Sequence, residues 1–271
     1  MAMVVGEELG LKLDNIQIEN ADTGATQYAT PSGGSKTVPT EAPAVRAAAV
    51  EIKRQLLKMA AEELRTDLQA LVIRDGEIQS SREPVKKVKI SALKGLQQRG
   101  VIVGIGYRGP NPSNKWVNPF AAQFCEVKVD MRTGEVQVVR FVAAQESGRV
   151  MNRLTYDSQV MGGVTMGIGL AMTEMRVLDG TETGKMCNRN WHDYKLPTAL
   201  DVPREIVSIP IDPGDTEANS TGAKGLGEPV TIPTAAVIAN AVYNATGIRV
   251  TDTPMTPVQL CQMLAERDKR R

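Results

Sequence analysis

The length, composition and charge of this chain describe a globular protein and exclude several classes of function. Its 271 residues are 42% hydrophobic and 23% charged, as in ordinary folded domains, and they suffice for one large or two smaller domains. A net charge of +1 and an aromatic content of 4% give no bulk argument for nucleic acid, an anionic membrane or a base-stacking surface. No apolar run approaches the roughly 18 residues of a membrane span.

Cysteine and histidine are too sparse for a metal site built from side chains. Cys125, Cys187 and Cys261 lie far apart, and His192 is the single histidine of the sequence. No cysteine pair has the short spacing of a zinc or iron–sulfur site, so we predict buried free thiols and no metal ligands from side chains. Reduced thiols fit a cytoplasmic protein, and a periplasmic one stays open if the chain is exported with a partner.

The first 120 residues are predicted to form one α+β subdomain around a long amphipathic helix. Apolar residues at three- and four-residue spacing mark that helix over residues 41–64, while Asp75 and Gly76 form the turn of a hairpin. The other predicted elements are a helix without a capping residue at 1–10, a strand at 15–19 and a short helix at 91–98.

A loop of small residues precedes the long helix. Ser32, Gly33, Gly34 and Ser35 lie within residues 31–37, where consecutive small residues expose backbone N–H groups to an anion or a polar ligand. Lys36 follows without the glycine spacing of a nucleotide P-loop. Residues 104–109 match the dinucleotide-binding pattern G-x-G-x-x-G, but Pro110 follows them directly. The sequence therefore lacks the helix that a dinucleotide fold requires after this pattern.

Residues 121–271 are predicted to form a second α+β subdomain of mixed helices and antiparallel hairpins. Glycines crowd one of its helices, and they fit close packing or a bulky ligand equally well. The predicted elements are hairpins at 121–143 and 175–186, a strand at 205–209, and helices at 152–175 and 232–243.

A glycine-rich stretch at residues 221–229 presents a single carboxylate. Gly222, Gly225 and Gly227 surround Lys224, and Pro229 follows Glu228. Because a residue before proline is biased towards an extended backbone, we predict that Glu228 lies on a constrained loop just before a buried helix. A positioned general base and a solvated glutamate in a plain turn both fit this pattern.

Several segments together resemble the molybdopterin-binding subunit of the xanthine oxidase family of molybdenum hydroxylases. The resemblance covers nearly the whole chain and is greatest to the bacterial aldehyde oxidoreductase and xanthine dehydrogenase branches. The segments that carry it are 222–229 with the helix and tail after it, the hairpin at 124–134, the helix at 159–169 and the loop at 32–35.

The resemblance implies a molybdenum–molybdopterin cofactor and a role for each matching residue. Glu228 would be the catalytic base, and Gln159 would hydrogen-bond the cofactor. Backbone groups at Ser32, Gly33, Gly34 and Ser35 would approach the pterin, for which bacterial relatives favour a cytosine dinucleotide form. Lys224 and Gly225 would contact the cofactor or brace the loop that holds them.

By the same resemblance, the reaction is hydroxylation of an aldehyde or an N-heterocycle at an sp² carbon, with water as the oxygen source. Family subunits are much longer, so we expect a split subunit, a fragment or a misplaced start. The partners would be the N-terminal half of the subunit, an iron–sulfur subunit and an FAD subunit. The alternative hypothesis is a non-catalytic scaffold or interaction subunit of such a complex.

Overall fold

The computed structural model describes residues 1–26, 28–29 and 31–269 and has an α+β architecture, which confirms the predicted fold class. The chain forms two compact units. The first unit comprises Met1–Val117 and Asp215–Ala223, and the second comprises Asn118–Gly214 and Lys224–Arg271. Among the described residues, no helix is long and apolar enough to cross a bilayer.

The two units do not divide the chain at residue 120, where the sequence placed the boundary between the subdomains. Residues 215–223, expected in the second subdomain, belong to the first unit. There Arg46 donates from Nη1 to the carbonyl of Ser220 at 2.6 Å, and Lys115 pairs with Glu217. Hydrophobic periodicity reports local structure only, so it gives no sign that a later segment returns to an earlier unit.

The first unit places a small antiparallel sheet beside a 28-residue helix. The predicted hairpin is confirmed, with positive φ at Asp75 (49°) and Gly76 (75°) in its turn. Leu56, Ile78 and Leu93 are central in the core. The elements are α1 Ala2–Leu9, α2 Thr37–Leu64, β1 Leu71–Arg74, β2 Glu77–Ser80, β3 Lys87–Lys89 and α3 Lys94–Arg99, with 3₁₀ turns at Leu13–Asn15, Leu68–Ala70 and Ile90–Ala92.

Two predictions in this unit need correction. The strand expected at residues 15–19 is a 3₁₀ turn followed by irregular chain, because a short alternation forms a strand only where another strand pairs with it. Helix α2 begins at Thr37, four residues before the expected start, since the first turn tolerates Pro39. Pro43 then removes the helical donor for the Pro39 carbonyl, which accepts from Arg108 Nε at 2.9 Å instead.

The second unit packs helices against one face of a three-stranded sheet. The antiparallel β4–β5 hairpin is confirmed, whereas β6 pairs with β5 in parallel, a pairing that the hairpin prediction did not include. Parallel pairing requires a long crossover, and helix α4 lies within it. The elements are β4 Phe120–Val129, β5 Val136–Glu146, α4 Arg153–Met172, β6 Glu205–Ile211, α5 Gly227–Thr246 and α6 Pro257–Lys269.

The hairpin expected at 175–186 consists of one bridge, between Leu178 and Met186.

The core of this unit lies between the sheet and helices α4 and α5. Phe141 of β5, Val160 and Val164 of α4, and Val230 and Ile238 of α5 are completely buried. Asn152 caps α4 by accepting from the backbone N–H of Thr155 at 3.0 Å. These contacts fix both helices on the same side of the sheet.

Two glycines of α4 give a matched test of this packing. A Cβ added at Gly167 would lie 2.7 Å from Thr234 Cγ2, whereas a Cβ added at Gly162 would meet nothing within 4 Å. We expect Gly167→Ala to lower the free energy of unfolding by roughly 1–3 kcal/mol through overpacking. Gly162→Ala should raise it by up to about 1 kcal/mol through helix propensity. Chemical denaturation of both variants measures these changes, and equal effects would contradict the packing role.

Candidate functional site

Helices α4 and α5 run in parallel and cross at very short range. A Cβ at Gly163 would lie 2.7 Å from Val230 Cβ and 3.0 Å from the Gly227 carbonyl oxygen. One turn later, Gly167 faces Thr234 in the same way. The Thr231 hydroxyl donates to the Gly163 carbonyl at 3.2 Å. The glycines of α4 that face α5 therefore serve helix packing, one of the two interpretations that the sequence left open.

This packing brings two predicted site residues to the same level of the unit. Gln159 lies one turn before Gly163 on the same face of α4, because residues four apart on a helix are neighbours. The corresponding turn of α5 is its first, which contains Glu228. Both residues are exposed, whereas the next apolar residues, Val160 and Val230, are completely buried.

The local structure around Glu228 differs from the prediction. Helix α5 begins at Gly227, so Glu228 lies in its first turn and not on a loop before it. Pro229 causes no conflict there, because the first helical turn leaves its N–H groups unbonded. A carboxylate in the first turn interacts favourably with the positive end of the helix dipole and stabilises the helix start.

Lys224 makes a buried ion pair in the second unit. Its Nζ lies 2.6 Å from Glu146 Oε2 and donates to the Asn118 carbonyl at 3.1 Å, and its side chain is only 6% exposed. Its backbone N–H donates to the Ser147 carbonyl at 2.7 Å. These bonds hold Lys224 in place just before α5. The half-buried Gly225 follows Lys224 and connects it to the helix. Contact of Lys224 or Gly225 with a cofactor stays a prediction.

Buried polar side chains that the sequence did not single out support the same helices. Gln123 of β4 donates from Nε2 to the Val230 carbonyl at 2.7 Å and accepts from the Thr234 hydroxyl at 3.1 Å. Both contacts are made to the stretch of α5 that contains Pro233. Gln123 occupies an inward-facing position in a strand whose residues alternate between two faces. A polar residue at such a position is the feature by which the sequence could have indicated this buried contact.

A second polar group lies at the end of β5, near the start of α4. The Tyr156 hydroxyl donates to the Gln145 carbonyl at 3.0 Å. Burial raises the pKa of Tyr156, and the hydrogen bond with Ser147 opposes that shift. The Gln145 side chain is 1% exposed, and its Nε2 has no hydrogen-bond partner among the described residues. Tyr156 is therefore neutral at physiological pH and acts as a fixed hydrogen-bond donor.

The predicted cofactor loop belongs to the first unit. Gly34 (φ 74°) and Ser35 (φ 53°) are left-handed, and a Cβ at Gly33 would meet nothing within 4 Å. The Ser32 hydroxyl is hydrogen-bonded to the Thr37 hydroxyl, where α2 begins. Left-handed residues ahead of a helix N-terminus turn backbone N–H groups to one side, which suits an anionic or polar group.

The polar groups at these positions suit an organic cofactor with an anionic edge. In the first unit they are the backbone N–H groups of residues 32–35, and in the second unit they are the amide of Gln159 and the carboxylate of Glu228. In residues 1–26, 28–29 and 31–269, no three His, Cys, Asp or Glu side chains form a metal cluster. The donor set thus suits the organic part of such a cofactor.

Comparison with known families identifies the chain. The family model of the molybdopterin cofactor-binding domain matches residues 1–203. The chain belongs to this family. The family matched here is the one whose resemblance the sequence suggested. Glu228 lies outside the residues that this model matches.

Relatives of this chain include molybdenum-binding subunits of bacterial enzymes. It is 32% identical over 268 residues to the putative xanthine dehydrogenase molybdenum-binding subunit XdhA of Escherichia coli K12. It is 32% identical over 266 residues to the aldehyde oxidoreductase molybdenum-binding subunit PaoC of the same organism. The alignments cover 96% and 98% of this chain but only 35% of each relative. The chain therefore spans about a third of the length of these relatives.

A solved structure shares the fold over the full chain. Carbon monoxide dehydrogenase from Oligotropha carboxidovorans superposes with a TM-score of 0.85 at 24% identity, covering 100% of this chain and 34% of that one. This similarity shows the fold of the molybdopterin-binding chain.

The buried Lys224–Glu146 pair gives a stability prediction. Removing one partner leaves a charge buried without compensation, so Lys224→Ala should lower the free energy of unfolding by roughly 3–5 kcal/mol. The Arg140–Glu205 pair is the matched control, because its side chains are 50% and 56% exposed and Arg140→Ala should cost at most about 1 kcal/mol. Urea denaturation checks both values, and similar losses would contradict the structural role of Lys224.

The cysteines give a pH prediction. The sequence predicted buried thiols, but Cys125 and Cys261 are half-buried and Cys187 is exposed. Burial raises the pKa of Cys125 to about 11. The thiolate is the nucleophile, so at pH 8 iodoacetamide should label Cys187 while Cys125 stays unmodified in the folded protein. Labelling of Cys125 should rise as the pH approaches 11. Peptide mass spectrometry measures both sites, and equal labelling at pH 8 would contradict the raised pKa of Cys125.

Proposed function

We propose that this chain is the base-bearing, C-terminal part of the molybdenum-binding subunit of a molybdenum hydroxylase. The complete enzyme would oxidise an aldehyde or an N-heterocycle at an sp² carbon, with water as the oxygen source. Membership in the molybdopterin-binding family and 32% identity to two molybdenum-binding subunits support this class of reaction. The chain would act only together with the remaining portion of the subunit.

The observation that carries the proposal is the parallel packing of α4 on α5. It sets the turn of Gln159 level with the turn of Glu228, and both side chains are exposed on helices whose other faces are buried. An amide and a carboxylate held on rigid helices keep their separation during a reaction cycle, which a catalytic site requires. This pairing follows from two glycines and does not depend on a flexible loop.

Each residue has a defined task in this proposal. The Glu228 carboxylate accepts the proton that leaves the attacking water, as general-base catalysis requires. The Gln159 amide binds an edge of the cofactor, and the backbone N–H groups of residues 32–35 bind its pterin. Lys224 keeps the start of α5 in position through Glu146. When bound, the molybdenum cofactor, which we infer to be the cytosine dinucleotide form, supplies the redox chemistry.

The redox partners follow from the class of enzyme. The relatives are named as subunits of dehydrogenases and oxidoreductases, so electrons released at this site must leave through other polypeptides. We infer an iron–sulfur subunit and an FAD subunit as those partners. The N-terminal portion of the molybdenum-binding subunit would cover the exposed side of Glu228 and exclude bulk water from it.

The base assignment is tested by Glu228→Gln in the assembled enzyme. We expect turnover of an aldehyde or N-heterocycle substrate to fall by about 10²–10⁴, the usual contribution of a general base. Molybdenum content, measured by plasma mass spectrometry, should stay unchanged, because the amide keeps the size of the side chain. Glu266→Gln on α6, another exposed helical glutamate, is the matched control and should keep full turnover.

The outcomes separate the main proposal from its alternative. Substantial turnover in Glu228→Gln would remove Glu228 as the base. A stable wild-type assembly that contains no molybdenum would instead favour the non-catalytic scaffold. Loss of turnover together with loss of molybdenum would assign Glu228 to cofactor retention.

A further inference from the structure

An extended segment of the first unit exposes an apolar face. Residues 101–107 follow α3 and belong to no strand of the described sheets. Val101, Val103, Ile105 and Tyr107 are 77%, 67%, 59% and 82% exposed, whereas the residues between them are partly buried. This alternation has the two-residue period of a β-strand with one covered and one open face.

The covered face of this segment is fixed against α2. A Cβ at Gly104 would lie 2.5 Å from the Ala48 carbonyl oxygen, and a Cβ at Gly106 would collide with the carbonyl of Ala44. Ile102 packs on the core of the unit. The close contacts hold the segment in place, so its exposed face is a permanent feature of the folded unit.

The backbone of the segment is almost without hydrogen bonds. In the described part of the chain, no backbone group accepts from the N–H groups of residues 101–107, and only Gln55 Nε2 donates to a carbonyl, that of Val103, at 3.0 Å. Extended backbone with unpaired donors and acceptors is a template for strand addition. Natural proteins protect such segments with lysine, proline or a bulge, and residues 101–107 contain neither lysine nor proline.

We propose that residues 101–107 are a docking strand, which pairs in a β-ladder with an extended, apolar segment from the remaining portion of the molybdenum-binding subunit. This inference rests on the proposed function, because it assumes that the chain works with that portion. The backbone groups of residues 101–107 supply the ladder bonds. The four exposed side chains supply the apolar contact, and Arg99 and Arg108 flank the pairing region.

The length of the relatives favours this occupant over a second copy of the chain. In the E. coli subunits, the matched region is covalently continuous with roughly twice its own length, since the alignments cover 35% of each relative. A segment that other contacts of the assembly hold near residues 101–107 has a high effective concentration and outcompetes a separate molecule. Pairing between two copies of this chain is the competing outcome of the test.

Hydrogen exchange tests the ladder directly. In the chain by itself, amides 101–107 should exchange rapidly, because no described group accepts from them. In complex with the remaining portion of the subunit, expressed as a separate polypeptide, they should slow at least about a hundredfold, as in a stable strand pair. Rapid exchange in the complex would overturn the proposal. Slow exchange in the chain by itself, together with a dimeric mass in light scattering, would assign the strand to self-association.

A matched pair of substitutions tests the apolar contact. Val103→Lys places a charge in the proposed interface, and Val85→Lys places the same charge at another valine of the first unit, which is 95% exposed. We expect Val103→Lys to weaken association by roughly tenfold or more, since burying an unpaired charge is costly. Val85→Lys should leave association unchanged. Calorimetric titration measures both, and equal affinities would overturn the proposal.

The docking strand and the catalytic proposal fail in different ways. Turnover of the assembled enzyme tests the Glu228→Gln variant, whereas affinity for the remaining portion of the subunit tests the Val103→Lys variant. If the Glu228→Gln variant assembles and stays active, the base assignment fails and the docking strand stands. If the Val103→Lys subunit assembles normally while Glu228→Gln is inactive, the docking strand fails and the base assignment stands.

Discussion

The candidate site depends on one packing constraint, the close approach of two parallel helices where glycines of α4 meet side chains of α5. At Gly163 and Gly167, the backbone of α4 touches Val230 and Thr234 of α5, and any larger side chain would separate the helices. The contact fixes the relative height of Gln159 and Glu228 to within a turn. Glycine lowers helix propensity by roughly 1 kcal/mol per residue, and the burial of Val160, Val164 and Val230 offsets that loss.

Polar side chains from other parts of the chain bond backbone and side-chain groups of helices α2 and α5. Pro43 removes the helical donor for the Pro39 carbonyl, and Arg108 supplies a replacement. Near Pro233, Gln123 bonds both Val230 and Thr234 from the neighbouring strand. Lys224 and Glu146 hold the entry to α5 in the same manner. Because unpaired buried groups are costly, each of these side chains contributes to the position of its helix.

The extended segment at residues 101–107 and the exposed Glu228 have the same explanation in our proposals. Each is fixed in place by buried contacts on one side and is open on the other. This chain spans about a third of the length of its relatives, and in both proposals the remaining portion of the subunit would cover such faces. The backbone hydrogen bonds of the proposed β-ladder would make the association specific. The portion of the subunit that covers Glu228 would exclude water from the base.

The sequence by itself determined the family, the α+β class, the long helix, both main hairpins and the Asp75–Gly76 turn, because periodicity and turn chemistry are local properties. It did not determine the parallel β5–β6 pairing, the return of residues 215–223 to the first unit, or the helical position of Glu228. Those features depend on partners distant in the chain, such as Ser220 for Arg46 and Glu146 for Lys224. Only the tertiary structure showed that the glycines of α4 set Gln159 level with Glu228, since a glycine pattern does not reveal which backbone it meets.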